Sequence, residues 1–510
     1  MKTKYIKSLL AIAIVTLTTS CSSEFLEETP TQYISISDVG ETGQIYPGVL
    51  AGTLSGLFNS MYTTGTGGTT DHADFGQKGY DIYTDFLSGD LALTRNTYNR
   101  YSNFAQLLIT VDNTYTRANY SAWRYYYRVI GSANKIIDAL GGNDAVITDS
   151  NKVTMGQAKT MRAYAYFYLT QLYITEYSAS SKVLPLYIDT KGDALEQSET
   201  KVVYDQMIDD LKQGALLLKD YNRTELFEVN DDVANTLLAY VYGSMNTPET
   251  NLLARNLAEK VIAHAGLPLT SKTETTGGFN SVNSPSWLWG ADITTDTSLD
   301  LISWWGQMDI YTYSYQWAGD KKAIDKGLFD QIKNTDQRKL QFATQADIDA
   351  SQADGNNDND LENEDLLIPF NKFYNNGRAI AGQRVIEDDY IYMRIDELYM
   401  LSAEMNAKIG FDADAKNRLK EILANRFDSA SDYSYVDALS GQALVDEIYL
   451  QTRIEFFGEG KSYFALKRNK ANVTRGSNHL YLVGETIPYN DDRLTLEIPL
   501  SEIQNNPFIN

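Results

Sequence analysis

The sequence predicts a mainly α-helical protein, with packed helix pairs forming a scaffold, a long irregular aromatic-rich insertion and few short strands. Three observations predict it. Apolar residues recur three and four positions apart in one segment after another, which is the helical period. That rhythm fades between Gly277 and Lys321, where aromatics crowd onto chain rich in Gly, Ser, Thr, Asn and Asp. The chain of 510 residues is 43% hydrophobic, enough for a full core at ordinary globular composition.

The helical elements are organised around Gln157–Tyr173. Ala158, Met161, Ala165, Tyr168 and Leu172 share one face there. Small Ala158, Ala163 and Ala165 let a second helix approach, and tyrosines fill the gaps. Upstream, Leu50, Leu54, Leu57 and Met61 mark a helix within Gly48–Tyr62, and Thr63–Thr70 is a Gly/Thr-rich loop. Asp71–Asp90 reads as a polar, aromatic loop carrying Asp71, His72, Asp74, Tyr80, Asp81, Tyr83 and Asp85. It is either a recognition surface or a hydrogen-bonded cap. Trp123, Tyr127, Ile130, Asn134 and Ile137 form a stripe that places Trp123 in a core. Downstream helices are expected at Tyr204–Leu218, Asp232–Met245 and Asn251–Ala265. Their short connections and small packing residues, Ala254 and Ala258 beside Val261, point to tetratricopeptide-like pairs, although no fixed repeat period can be laid down. Ile391–Gly410 has the cleanest amphipathic spacing, with Gly410 as its stop and Ala413–Arg426 as its partner helix.

The insertion holds Trp287, Trp289, Trp304, Trp305 and Trp317, five of the six tryptophans. Large aromatics on irregular chain either pin that chain to a core or serve a binding surface. Indole and phenol rings stack on the apolar C–H faces of sugars, while Asn and Asp bind hydroxyls. The candidate ligand-binding residues are therefore Trp287, Trp289, Trp304, Trp305, Tyr311, Tyr315 and Trp317, with Asp71, Asp74 and Tyr83 as polar or edge partners.

Other classes are disfavoured. A formal net charge of -23 argues against nucleic acid and, less strongly, against polyanionic ligands, since net charge says little about one cleft. Cys21 is the single cysteine, which excludes an internal disulfide and a thiolate cluster. His72, His264 and His479 lie far apart without spaced partners, so neither a metal nor a cofactor is expected. Asp354, Asn356, Asp358 and Asp360 alternate like a calcium loop, with Asp365 near the closing position, but Asn359 stands where its glycine is needed. A solvated loop fits better. No nucleophile elbow or phosphate loop is present. Glu455 and Glu459 can be imagined as a hydrolytic pair, but their segment has the look of scaffold, with ion pairs among Phe456, Phe457, Tyr463 and Phe464.

At the N-terminus, Lys2, Lys4 and Lys7 precede the apolar run Ser8–Leu17, which is too short to span a bilayer. Thr18, Thr19 and Ser20 lead into Cys21, giving a lipoprotein-type signal peptide at 1–20 with Cys21 as the acylated residue. The usual pattern has Leu where Thr18 stands. Acyl chains, each buried CH₂ contributing about 0.8 kcal/mol, would anchor the mature chain.

Several segments, in order, resemble the SusD/RagB family of surface glycan-binding lipoproteins of Gram-negative bacteria. They are the opening from Cys21 through Phe25 and Leu26 to Pro30, WRYYYRVIGSANKII at Trp123–Ile137, and MRAYAYFYLTQLY at Met161–Tyr173 followed by Leu184, Pro185 and Leu186. FDQIKNTDQR at Phe329–Arg338, LLIPFNKF at Leu366–Phe373 (a family strand), RIDELYMLSAEMNAKIG at Arg394–Gly410, RIEFFGEGKSYFALKR at Arg453–Arg468 and the terminal LEIPLSEIQNNPFIN continue the match. The resemblance implies a signal peptide at 1–20 and one domain over 21–510. Its helical scaffold would lie mainly at 48–62, 120–265 and 390–468, and its ligand-side insertion at about 270–375. It further implies an outer-membrane protein, lipid-anchored through Cys21 and facing outward. Such a protein captures oligosaccharide or polysaccharide without catalysis and hands it to a SusC-like TonB-dependent transporter. Peptide uptake within the same family, a surface glycosidase and a pure assembly scaffold are the alternatives.

Overall fold

The computed structural model describes residues 47–108, 118–354 and 359–509. The expected signal peptide, the anchor at Cys21 and residues 355–358 of the calcium-like loop lie outside the described residues. The principal helices are α1 (Pro47–Asn59), α2 (Gln77–Ser88), α3 (Ala118–Ala139), α4 (Lys152–Tyr173), α5 (Thr200–Leu217), α6 (Asp231–Met245), α7 (Pro248–Ala265), α8 (Asp396–Lys408), α9 (Asp412–Ala424), α10 (Gly441–Glu455) and α11 (Ser462–Asn469). Eight short strands, β1 (Leu91–Leu93), β2 (Lys182–Pro185), β3 (Gln197–Glu199), β4 (Trp287–Ala291), β5 (Lys322–Ile324), β6 (Tyr390–Arg394), β7 (Asn472–Thr474) and β8 (Thr486–Pro488), pair antiparallel as β1–β5, β2–β3, β4–β6 and β7–β8.

From α3 to α9 each helix packs on the next, as expected of stacked helix pairs. α4 is central because it is buried on every side from Met155 to Leu172. Its polar residues are satisfied inside. Arg162 binds Asp210 of α5 through two bonds of 2.8 and 2.7 Å and reaches Asn134 Oδ1 of α3 at 2.9 Å, tying three helices together. α7 begins with a Thr247–Thr250 capping box and Pro248 in its first turn, which satisfies amides that have no partner within the helix. One continuous core extends from Leu54 to Leu496, and a smaller cluster within the insertion gathers Ile310, Tyr311, Ile348 and Ile368.

Three expectations are corrected. The Asp71–Asp90 segment is not a loop throughout: its second half is the wholly buried helix α2, in which Lys78 and Asp81 neutralise each other at 3.0 Å. The helix expected from Ile391 begins only at Asp396, because Tyr390–Arg394 pairs with Trp287–Ala291 as a strand. Leu366–Phe373 forms turns rather than a strand, with Phe373 buried beneath the insertion.

Candidate functional site

Most of the candidate tryptophans are core residues. Trp287, Trp289, Trp304 and Trp305 are 3%, 1%, 3% and 0% exposed, so none presents a ring face to a ligand. Trp287 and Trp289 lie on β4, and the Trp289 indole N–H donates to Phe227 O at 2.7 Å while its ring meets Tyr164 edge-on at 5.5 Å. Trp304 and Trp305 stand perpendicular at 4.9 Å, and Trp304 meets Phe373 at 4.7 Å. Burying these large rings fastens the insertion to the helices. Tyr83 is likewise sealed, stacked on Phe104 at 4.5 Å. Tyr311 is buried with Arg378 beside its ring. Asp74 is buried and consumed locally: its carboxylate accepts from Gly67 N at 2.7 Å, Thr69 N at 3.0 Å and Thr69 Oγ1 at 2.8 Å. It holds the 65–74 loop in shape and has no face for a sugar.

The remaining candidates, Trp317, Tyr315 and Asp71, are brought together with residues that composition did not single out. Ser314 caps the turn Tyr315–Ala318 by accepting from Trp317 N at 2.9 Å, which lifts the Trp317 ring outward to 40% exposure. Tyr313, 37% exposed, lies 5.5 Å from it. The 95–101 loop docks alongside, with Thr97 N donating to Gly319 O at 3.2 Å. Gly319 has φ 114° and its Cβ would enter the Thr97 side chain, so only glycine permits this approach. Asp320 accepts from Tyr98 N at 2.6 Å and Arg100 N at 2.8 Å, which holds Tyr98 out at 54% exposure. Tyr98, Tyr313 and Trp317 therefore form an exposed aromatic rim.

Beneath the rim, Tyr315 is itself buried, so it supports the site rather than offering a ring face to a ligand. Its hydroxyl and His72 Nδ1 are 2.6 Å apart, its ring meets Tyr98 edge-on at 5.7 Å, and the Arg100 guanidinium lies over it at 4.9 Å. Asp71 faces Arg100 at 3.9 Å. A cleft of about 690 Å³ opens here, lined by Gly68–His72, Arg100 and Tyr120. Burial and the Arg100 cation lower the His72 pKa, which favours a neutral imidazole in this cleft at neutral pH. The arrangement offers flat rings beside a polar recess with donors and acceptors, which is the chemistry of a carbohydrate subsite.

Glu455 and Glu459 are scaffold. Glu455 contacts Arg338, Arg394 and Arg426 at 3.0, 2.8 and 2.7 Å, and Glu459 contacts Arg394 and Lys372 at 2.8 Å each. Burial opposes ionisation of both, but Arg426 and Arg394 outweigh it and hold Glu455 well below the usual range, and Arg394 and Lys372 hold Glu459 at about 2. Sealed from solvent and engaged by cations, they cannot act across a substrate. Among the described residues, Asp231, Asp232 and His264 could jointly offer metal ligands. The two aspartates occupy the first turn of α6, where carboxylates complement the helix dipole without an ion.

Residues 73–242 match the family described as "Starch-binding associating with outer membrane", and residues 303–507 match that described as "SusD family". The chain is 22% identical to SusD-like protein P25 of Formosa agariphila over 98% of its own length and 97% of that protein. Its fold is similar to the crystal structure of a SusD-like carbohydrate binding protein from Bacteroides vulgatus, with TM-score 0.72 and 21% identity over 91% of this chain and 97% of that one. It is also similar to surface glycan-binding protein A of Bacteroides thetaiotaomicron in complex with laminarihexaose, with TM-score 0.67 and 16% identity over 90% of this chain and 97% of that one. Two SusD-type family models matching 73–242 and 303–507, a SusD-like relative aligned along nearly the whole chain and the SusD-like folds together show that the chain belongs to the SusD/RagB family.

Proposed function

We propose that this protein is a non-catalytic, surface-exposed glycan-binding lipoprotein, anchored through Cys21, that captures oligosaccharide or polysaccharide and passes it to a SusC-like TonB-dependent transporter. The observation that carries the binding role is the exposed rim of Tyr98, Tyr313 and Trp317 beside the cleft at His72, Arg100 and Tyr120. Rings left in water without a local packing reason suit stacking on pyranose faces. The laminarihexaose complex of the Bacteroides thetaiotaomicron relative supports a carbohydrate ligand for this fold. The outer-membrane description of the family supports the location, and no described helix is long and apolar enough to cross a membrane.

The test is affinity gel electrophoresis against a panel of neutral, uronate-bearing and sulfated polysaccharides. Wild-type protein is expected to be retarded by at least one, and Trp317→Ala and Tyr98→Ala each to weaken that binding at least about tenfold, equivalent to about 1.4 kcal/mol. New reducing ends released from the bound polysaccharide would overturn the non-catalytic reading. Unchanged retardation in both variants would remove the rim from it.

A further inference from the structure

The aromatic cleft does not end at Tyr120. That residue also lines a second groove, of about 630 Å³, running along the outer side of α3. Arg124, Arg128 and Lys135 project into this groove, and all three are exposed. Their spacing of four and seven residues places them on one helix face, a row of about 16 Å at a rise of about 1.5 Å per residue. Among the described residues none of the three has a carboxylate oxygen within 4.0 Å. The two arginines are nevertheless positioned. Arg124 Nη1 donates to the Tyr120 hydroxyl at 2.8 Å and Arg128 Nη1 donates to Thr66 O at 2.7 Å, leaving most of each guanidinium's N–H groups free. Arg124 also lies across Gly68, where a side chain would collide with it, so the wall between cleft and groove is shaped around this arginine.

The opposite wall carries two carboxylates, and both are engaged. Asp189 pairs with Lys191 at 3.7 Å, and Glu502 accepts from Asn506 Nδ2 at 3.1 Å. At the far side of the rim, exposed Arg384 sits 3.9 Å from the Tyr313 ring centroid. Cations without carboxylate partners thus line the groove that continues from the cleft at Tyr120, and one more lies over Tyr313, on a chain whose formal net charge is -23. On such a surface the expected default is the reverse, with each scarce cation neutralised by a nearby acid.

Resting on the glycan-binding reading above, we infer that the ligand is an acidic glycan. Its sugar faces stack on Tyr98, Tyr313 and Trp317, and its carboxylates or sulfate esters bind Arg124, Arg128 and Lys135 along α3. Guanidinium groups match planar carboxylates and sulfate oxygens through paired N–H donors, which a neutral hydroxyl array does not reward. Net negative charge elsewhere opposes indiscriminate polyanion binding, so affinity requires both the rings and the cationic row.

The test uses the mature full-length chain with polygalacturonate and other uronate polymers, dextran sulfate and sulfated algal polysaccharides, against dextran and laminarihexaose as neutral probes. The expected result is binding to a uronate or a sulfated probe that weakens with added salt. The triple variant Arg124→Gln/Arg128→Gln/Lys135→Gln is expected to lose it at least about tenfold. All three side chains are exposed, and circular dichroism confirms that the variant is folded. The uronate and sulfate arms distinguish the two anions. Binding only to neutral probes overturns the acidic-ligand inference and leaves the glycan-binding reading standing. Retention of acidic binding by the triple variant also overturns the inference. Absence of binding to every probe overturns both.

Discussion

Asp309 roots the loop from which Tyr313 and Trp317 rise. Its carboxylate accepts from Tyr311 N at 2.9 Å, Thr312 Oγ1 at 2.8 Å and Asn375 N at 3.0 Å. Burial outweighs these bonds and pushes the carboxyl up to about 7. The folded chain then holds a proton that the unfolded chain has released, over the window from about pH 7 down to the ordinary aspartate value of 3.8. Stability contributed by this group is present at acid pH and is lost as pH rises through about 7, at about 1.4 kcal/mol per pH unit within the window. Asp309→Asn cannot titrate. Thermal melts near pH 5 and pH 8 should therefore differ more in the wild type than in the variant, the comparison cancelling every other titrating group. Equal pH dependence in the two proteins would show that the carboxyl stays ionised in the fold.

At the scale of elements, α4 and α5 approach closely because glycines face each other's helix. A Cβ at Gly214 would strike Thr160 Oγ1, which is itself bonded to Gly156 O at 2.8 Å, and a Cβ at Gly156 would reach Leu218 Cγ at 2.8 Å. Gly214→Val should cost about 1–3 kcal/mol by urea midpoint. Gly56→Ala in α1, with nothing within 4 Å of the new Cβ, should gain about 0.5–1 kcal/mol. If Gly214→Val proved neutral, close packing would not be what sets the α4–α5 pair. Helices such as α7 were legible in the sequence because one-sided burial leaves a 3.6-residue rhythm, as at Ala254, Ala258 and Val261. β6 was not, because Tyr390–Arg394 is buried at every position and a short apolar run has no face to report. The indoles misled for a related reason. Composition says that a tryptophan in polar chain needs a partner, but whether that partner is Tyr164 or a sugar is decided by tertiary contacts. Of the rim only Trp317 was legible: Tyr311, Tyr313 and Tyr315 alternate, the sequence pointed to the first and last, and only the middle one faces solvent. The arginines of α3 drew no attention because, on sequence alone, an exposed cation on a helix reads as a solvated face.

Across the whole molecule, buried charge joins the insertion to the scaffold. Arg338 and Lys372 come from the ligand side, Arg394 from β6, Arg426 from just after α9, Glu455 from the end of α10 and Glu459 from the turn that follows it, and all are within 3% exposure. Asp336 and Asp396 complete the balance, meeting Arg338 at 2.6 Å and Arg426 at 2.8 Å. Such a cluster adds less stability than its contacts suggest, since each charge loses its hydration, but removing one member leaves the others unpaired. Glu455→Ala removes one carboxylate from three guanidinium groups that keep only Asp336, Asp396 and Glu459, leaves one buried positive charge uncompensated and should cost about 3–5 kcal/mol. Because the cluster and the core indoles span both halves, insertion and helices should unfold together. Near-ultraviolet circular dichroism, which reports the buried tryptophans of the insertion, should lose its signal at the same urea concentration as the far-ultraviolet helical signal, in wild type and variant alike. A near-ultraviolet transition well ahead of the helical one would show that the aromatic insertion is a separately folding cap, and the rim it carries would then be free to move relative to the groove along α3.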